Sequence, residues 1–138
     1  MGEYAKQAVD MYCKAAPTAK LKHASTPFVA DGSLVDSDDE ARGELTSGAC
    51  GILMKLLWLG RLARPDLVKP IGDLATHVQK WSVNDDKKLF RLICYLNSTV
   101  NYKLKGVVSD KLSELIKLRL YVDVDFCGSR EDTKASLP

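Results

Sequence analysis

The spacing of apolar and polar positions along this chain predicts a mostly helical protein. In residues 3–16 apolar side chains recur at helical spacing until Pro17 ends the run. Residues 47–64 form the most apolar segment, and they predict a helix buried on several sides with Trp58 in the core. Another helix is expected from Pro65 onward, because proline fits a first helical turn, where its missing amide hydrogen costs nothing.

A further helix is predicted from Ser82 to about Thr99. Ser82 and Asp85 have the spacing of a capping box, in which each side chain accepts a hydrogen bond from the backbone amide of the other residue. The residues expected on the buried stripe of this helix are Leu89, Leu92, Ile93 and Leu96.

Strict alternation replaces helical spacing near the end of the chain. Residues 118–126 place apolar side chains on one face of a strand and polar side chains, including Asp123 and Asp125, on the other. A shorter alternation begins at Tyr102 and leads toward Gly106, and the two strands are expected to pair antiparallel. The predicted fold class is therefore α+β and mainly α, with about four helices followed by a short antiparallel strand pair.

The carboxylates of Asp123 and Asp125 fall on the same side of the last strand. Two carboxylates at one strand end can hold a hard divalent cation. An exposed strand face also carries charge without binding anything, and the alternation alone favours this simpler interpretation.

Charge is distributed unevenly along the chain. Residues 31–44 carry six acidic side chains and one arginine, whereas residues 45–122 carry thirteen basic and six acidic side chains. Lysine and arginine bind phosphates largely irrespective of sequence. The candidates for contact with a nucleic-acid backbone are Lys80, Lys87, Lys88 and Arg91. A solvated helix face explains the same charges equally well.

Some protein classes are disfavoured by what the sequence contains. The four cysteines include no C-x-x-C pair, so neither a zinc site nor a redox motif is indicated. No apolar stretch has the length of a membrane span, and the first ten residues lack the apolar core of a secretory signal. The expected location is intracellular, cytoplasmic or nuclear, with no membrane partner.

Four segments of the chain, residues 26–28, 51–67, 87–99 and 121–136, resemble motifs of one family in the order in which that family has them. The corresponding family motifs are "TP", "G-x-L-x-Y-L…T-R-P-D-I", "A-K-R-I-L-R-Y-L-K-G-T" and "S-D-A-D-W-A-G…R-K-S-T-S-G". The second segment is the most specific match. From about residue 21 to residue 136, the chain thus resembles a copia-type LTR retrotransposon Pol polyprotein where reverse transcriptase runs into ribonuclease H.

The resemblance implies a region that holds an RNA/DNA duplex between two active sites. Asp123 corresponds to the first metal-binding carboxylate of ribonuclease H, catalytic only in an intact domain, and Asp125 to the second aspartate of that motif. Mg²⁺ is expected for the intact parent enzyme and no cofactor for the isolated chain. The implied partners are an RNA/DNA hybrid, bound weakly through its backbone, and the rest of a Pol polyprotein.

Whether the chain is an enzyme is left open by the same resemblance. The parent would be an RNA-directed DNA polymerase with ribonuclease H, but this chain has no match to the Tyr-x-Asp-Asp loop or to the later ribonuclease H carboxylates. The match to the fourth family motif also ends before Leu137, which indicates truncation or decay. The chain is therefore expected not to be catalytic by itself.

The predicted organisation has four parts. They are an N-terminal helix (1–16), a flexible acidic linker (17–46), a helical region like the reverse-transcriptase thumb and connection (47–106), and the truncated start of a ribonuclease H-like domain (107–138). The alternative function is a small helical protein-interaction module derived from a retroelement, whose apolar helix at 47–62 docks a partner.

Overall fold

A computed structural model of the chain describes residues 2–29, 33–34 and 37–105. Its α-helices are α1 (Gly2–Ala15), the single turn α2 (Ser37–Glu40), α3 (Ala49–Ala63), α4 (Val68–Thr76) and α5 (Val83–Ser98). Short 3-10 turns, Pro65–Leu67 and Val78–Lys80, precede and follow α4. Within these described ranges the protein is mainly helical, with four helices of nine residues or more, as the apolar spacing predicts.

The predicted strand pair is not supported. Residues 102–105 have no regular secondary structure, and no strand occurs in the described part of the chain. Tyr102 and Leu104 are 64% and 69% exposed, so their alternation buries neither face and gives a strand nothing to pack against. Residues 118–126 lie outside the described residues, as does the whole predicted part 107–138. The four-part division of the chain stays a prediction.

The core lies among four helices, because α1 and α4 each contact both α3 and α5. The apolar side chains of α1 recur every three or four residues and bury one face of that helix: Ala5, Ala8, Val9 and Tyr12. The stripe predicted for α5 is confirmed, because its members are fully buried: Leu89, Leu92, Ile93 and Leu96. The main contribution of α3 is Ile52, Leu53, Leu56 and Leu59.

The start of α5 is fixed by the predicted capping box. Ser82 Oγ accepts a hydrogen bond from the Asp85 amide at 3.2 Å, and the Ser82 amide donates to Asp85 Oδ2 at 3.0 Å. Both side chains are nearly inaccessible to solvent. The box therefore satisfies amide groups that would otherwise be unpaired at a buried helix end.

The carboxylate of Asp86 ties α5 to the loop that leads into α3. It accepts hydrogen bonds from the backbone amides of Glu44 at 2.6 Å and Leu45 at 3.3 Å, and from Trp81 Nε1 at 2.7 Å. The Gly43 amide donates to the Trp81 carbonyl at 3.0 Å. A Cβ at Gly43 would collide with the Trp81 ring and with Asp86, so only glycine allows this close approach.

Candidate nucleic-acid interface

Two of the four predicted phosphate-binding residues, Lys87 and Arg91, lie one turn apart on α5 and already have partners. Lys87 Nζ pairs with the Asp38 carboxylate. Arg91 Nε donates to the Thr26 carbonyl at 3.0 Å, and its Nη2 donates to Thr26 Oγ1 at 3.0 Å. These two cations therefore face the segments before α3, and each would exchange a protein partner for a phosphate on binding.

The other two predicted residues lie in different surroundings. Lys88 Nζ is 3.8 Å from Asp85 Oδ1, and that carboxylate also contacts His77 Nδ1 at 2.9 Å. Lys80 is exposed at the end of a 3-10 turn, and its side chain has no hydrogen bond or ion pair among the described residues. The four predicted residues thus have different surroundings: Lys87 and Arg91 contact the segments before α3, Lys88 contacts Asp85, and Lys80 lines a groove.

An open groove of about 450 Å³ places Lys80 beside a cation that the sequence interpretation missed, Arg42. The backbone on either side of Arg42 is paired with the residues at the start of α5: the Val83 amide donates to the Ala41 carbonyl at 3.0 Å, and the Gly43 amide donates to the Trp81 carbonyl at 3.0 Å. Arg42 itself forms an isolated antiparallel bridge with Ser82. Within the described ranges, no hydrogen bond or ion pair engages the Arg42 side chain.

A hydrogen-bond network around the buried Arg64 joins two of the motif segments, and the side chain of its acidic member, Asp66, is 35% exposed. The Arg64 Nε and Nη2 groups donate to Asp66 Oδ1 at 2.9 Å and Oδ2 at 2.7 Å, in a bidentate arrangement. Its Nη1 and Nη2 groups also donate to the Thr99 carbonyl at 2.9 Å and hydroxyl at 2.7 Å. Tyr95 donates from its hydroxyl to Asp66 at 2.9 Å, and the guanidinium carbon lies 5.6 Å from the Tyr95 ring centre and 5.5 Å from that of Tyr102.

The electrostatics of the network follow from these contacts. Burial disfavours the charged form of Asp66, but hydrogen bonds from Arg64 and Tyr95 and the arginine charge outweigh burial and lower the pKa of the carboxyl. Burial and the hydrogen bond to Asp66 raise the pKa of Tyr95. Asp66 lies in the first turn after Pro65, where its negative charge favours the helix start, and the same carboxylate binds Arg64.

One face of α3 carries an exposed apolar stripe. Met54, Trp58 and Leu62 lie on successive turns and are 49%, 58% and 51% exposed. The prediction of a core position is therefore wrong for Trp58, although Trp81 is buried. Helix α3 contains no acidic residue, and its charged residues, Lys55 and Arg61, are both basic.

Neither a metal-binding group nor a membrane-spanning helix is found in the described part of the chain. The part of the chain that the structure describes has no group of three or more His, Cys, Asp or Glu residues that could hold a metal ion. The magnesium ligands implied by the resemblance, Asp123 and Asp125, lie outside that part. Among the described helices, none has the length and apolar character needed to cross a membrane.

Comparison with known proteins gives no match: no family model fits the chain, and no curated protein or solved structure is significantly similar to it.

Proposed function

We propose that this chain is part of a copia-type retrotransposon Pol polyprotein and holds an RNA/DNA duplex through backbone contacts, without being catalytic by itself. The observation that carries the proposal is the Arg64 network. Arg64 and Asp66 belong to the second motif segment of the resemblance, and Tyr95 and Thr99 belong to the third. Residues of two motif segments thus contact one another in this network. Such contacts give a structural reason for both motifs to occur in the same protein, which supports a fold shared with the family.

The contacts of the basic residues on α5 are compatible with duplex binding. The ion pair between Lys87 and Asp38 is partly exposed, with side-chain exposures of 45% and 32%. Such pairs contribute only about 0–1 kcal/mol to stability. Arg91 binds the uncharged Thr26, so a phosphate would offer its guanidinium a stronger, charge-assisted partner. Neither contact is strong enough to prevent Lys87 or Arg91 from binding a phosphate of the duplex.

Binding of the full chain to a fluorescein-labelled RNA/DNA hybrid, followed by fluorescence anisotropy across a salt series, tests this proposal. Each phosphate contact contributes about one unit to the slope of log affinity against log salt, so three contacts would weaken binding about 40-fold between 50 and 200 mM salt. The double variant Lys87→Gln, Arg91→Gln should lower that slope by about two.

Lys14→Gln is the matched control, because Lys14 is an exposed lysine on α1 and is not one of the four candidate residues. It should bind like the unaltered chain. Binding that does not depend on salt, or a double variant indistinguishable from Lys14→Gln, would contradict the proposed contacts.

The exposed stripe on α3 favours the second candidate, a helical protein-interaction module. Met54, Trp58 and Leu62 would pack against a partner helix, with Arg61 at its flank. Lys55 contacts α1, where its Nζ lies 4.4 Å from the Tyr4 ring centre and 3.4 Å from Gln7 Oε1. Since α3 carries only basic charges, the occupant to which this proposal commits is an amphipathic helix of another protein with acidic flanks.

A synthetic helix with leucines on one face and glutamates on both flanks serves as the probe for the second candidate, with titration calorimetry as the readout. The unaltered chain should bind it, and Trp58→Ala should weaken binding by about tenfold or more, because buried tryptophans dominate such interfaces. The same peptide with lysines in place of the glutamates is the control. Equal binding of both peptides, or no effect of Trp58→Ala, would exclude an acidic helix as the partner.

A further inference from the structure

We infer that the groove between Arg42 and Lys80 binds one phosphodiester of a nucleic-acid backbone. This inference rests on the proposed function and names a contact point for the duplex on the described part of the chain. Four observations carry it: two cations that have no hydrogen bond or ion pair among the described residues, rigid attachment of their backbone, a matching set of donors, and an open groove whose described lining has no accessible aromatic ring.

The first observation is that the groove contains cations that are not neutralised by the described part of the protein. Lys87, Lys88 and Arg64 all have a carboxylate partner within 4 Å. The side chains of Arg42 and Lys80, by contrast, are exposed and have no hydrogen bond or ion pair in that part. A phosphate in the groove would therefore gain two charge contacts without breaking a pair formed by the described residues.

The second observation is that the backbone carrying these cations is held in place before a ligand arrives. Two backbone hydrogen bonds of 3.0 Å pair Ala41 with Val83 and Gly43 with Trp81, on either side of Arg42. The Asp86 carboxylate binds the Trp81 indole and the backbone just after Gly43. Because the backbone at both cations is attached to the capped start of α5, binding needs to order only their side chains.

The third observation is the donor set. Arg42 can donate two parallel N–H groups to a phosphate, and Lys80 adds a point charge. The side-chain amide of Gln79 also lines the groove and adds N–H donors. Glu40 is a further lining residue, and its carboxylate repels an anion. Because Glu40 weakens the attraction for an anion, the site is suited to a singly charged phosphodiester in a strand that other residues of the protein also bind.

The fourth observation is that the described lining of the groove offers no aromatic surface to a nucleic-acid base. Trp81 is the aromatic residue of its described lining and is only 3% exposed, so no base can stack on it. An open groove with cations and no accessible ring contacts the backbone and not the base edges. Contact through this groove is therefore expected to be independent of nucleotide sequence.

The test combines hybrid binding with nuclear magnetic resonance of the full chain. Arg42→Gln and Lys80→Gln should each weaken binding of a labelled RNA/DNA hybrid and lower the salt slope by about one. Glu40→Gln should strengthen binding several-fold, because it removes the repulsive charge. Lys14→Gln is the control for loss of a positive charge outside the groove, and circular dichroism should show that all four variants remain folded.

Titration with dimethyl phosphate separates this inference from the proposed function. Dimethyl phosphate should shift the amide signals of Gln79 and Lys80, and acetate should not. If the hybrid binds but Arg42→Gln and Lys80→Gln behave like Lys14→Gln, the groove inference is overturned and the duplex proposal remains. If no hybrid binds while dimethyl phosphate still shifts these amides, the phosphate site is supported and the duplex proposal fails. Equal shifts with acetate would overturn the phosphodiester assignment.

Discussion

Replacing Leu56 with alanine is expected to lower the free energy of unfolding by about 2–5 kcal/mol, the cost of removing a fully buried leucine side chain from a packed core. Leu56 is 0% exposed in the middle of α3. Its loss removes apolar burial and leaves a cavity among rigid neighbours. Urea unfolding followed by circular dichroism measures the change as a shift of the midpoint.

Leu62→Ala is a closely matched control, because the same chemical change is made on the same helix. Leu62 is 51% exposed, so its replacement should change stability by no more than about 0.5 kcal/mol. Helix propensity differs little between leucine and alanine and does not affect the comparison. Similar losses for both variants would mean that the outer face of α3 is buried in solution, for example in an oligomer.

Replacing Arg64 with alanine is expected to cost about 2–4 kcal/mol, because the change removes the charge-assisted hydrogen bonds from the guanidinium to Asp66 and to the buried Thr99. The guanidinium is the partner of the Thr99 carbonyl, which follows the end of α5, and of the Asp66 carboxylate beyond α3. Arg61→Ala, one turn earlier on the exposed side of α3, should cost no more than about 0.5 kcal/mol. The same urea measurement compares the two variants.

A pH series tests whether the charge of Asp66 contributes to this loss. The pKa of Asp66 is lowered in the folded protein, so its contribution to stability is present above the unfolded pKa of about 4 and is lost as the pH falls through the folded pKa. The stability difference between the unaltered chain and Arg64→Ala should therefore narrow below about pH 4. A constant difference from pH 7 to pH 2 would show that packing of Arg64 and not its charge stabilises the fold.

The helices could be predicted because their signals are local. A capping box at Ser82 and a clean apolar stripe define α5 without reference to the rest of the chain. The buried face of α3 could not be predicted in the same way. That helix is apolar around most of its circumference, so spacing alone cannot show that Leu56 points inward and Trp58 outward.

The candidate interface was only partly predictable, because the sequence shows which residues are charged but not what neutralises them. The partners of Lys87 and Arg91 lie 49 and 65 residues away in the chain. Arg42 was overlooked because it stands in an acidic segment, and only the pairing of that segment with the start of α5 places it beside Lys80. Arg64 and Thr99 likewise meet across 35 residues.

The position of α1 between α3 and α5 has a consequence for synthesis on the ribosome. Its apolar face packs on both helices, so it cannot be fully covered until Ser98 at the end of α5 has left the exit tunnel. Until then, α1 cannot bury Ala8 and Tyr12 completely, and the core face of α3 is not fully covered either. The nascent chain is therefore most vulnerable to aggregation in this interval, and α5 closes the fold late.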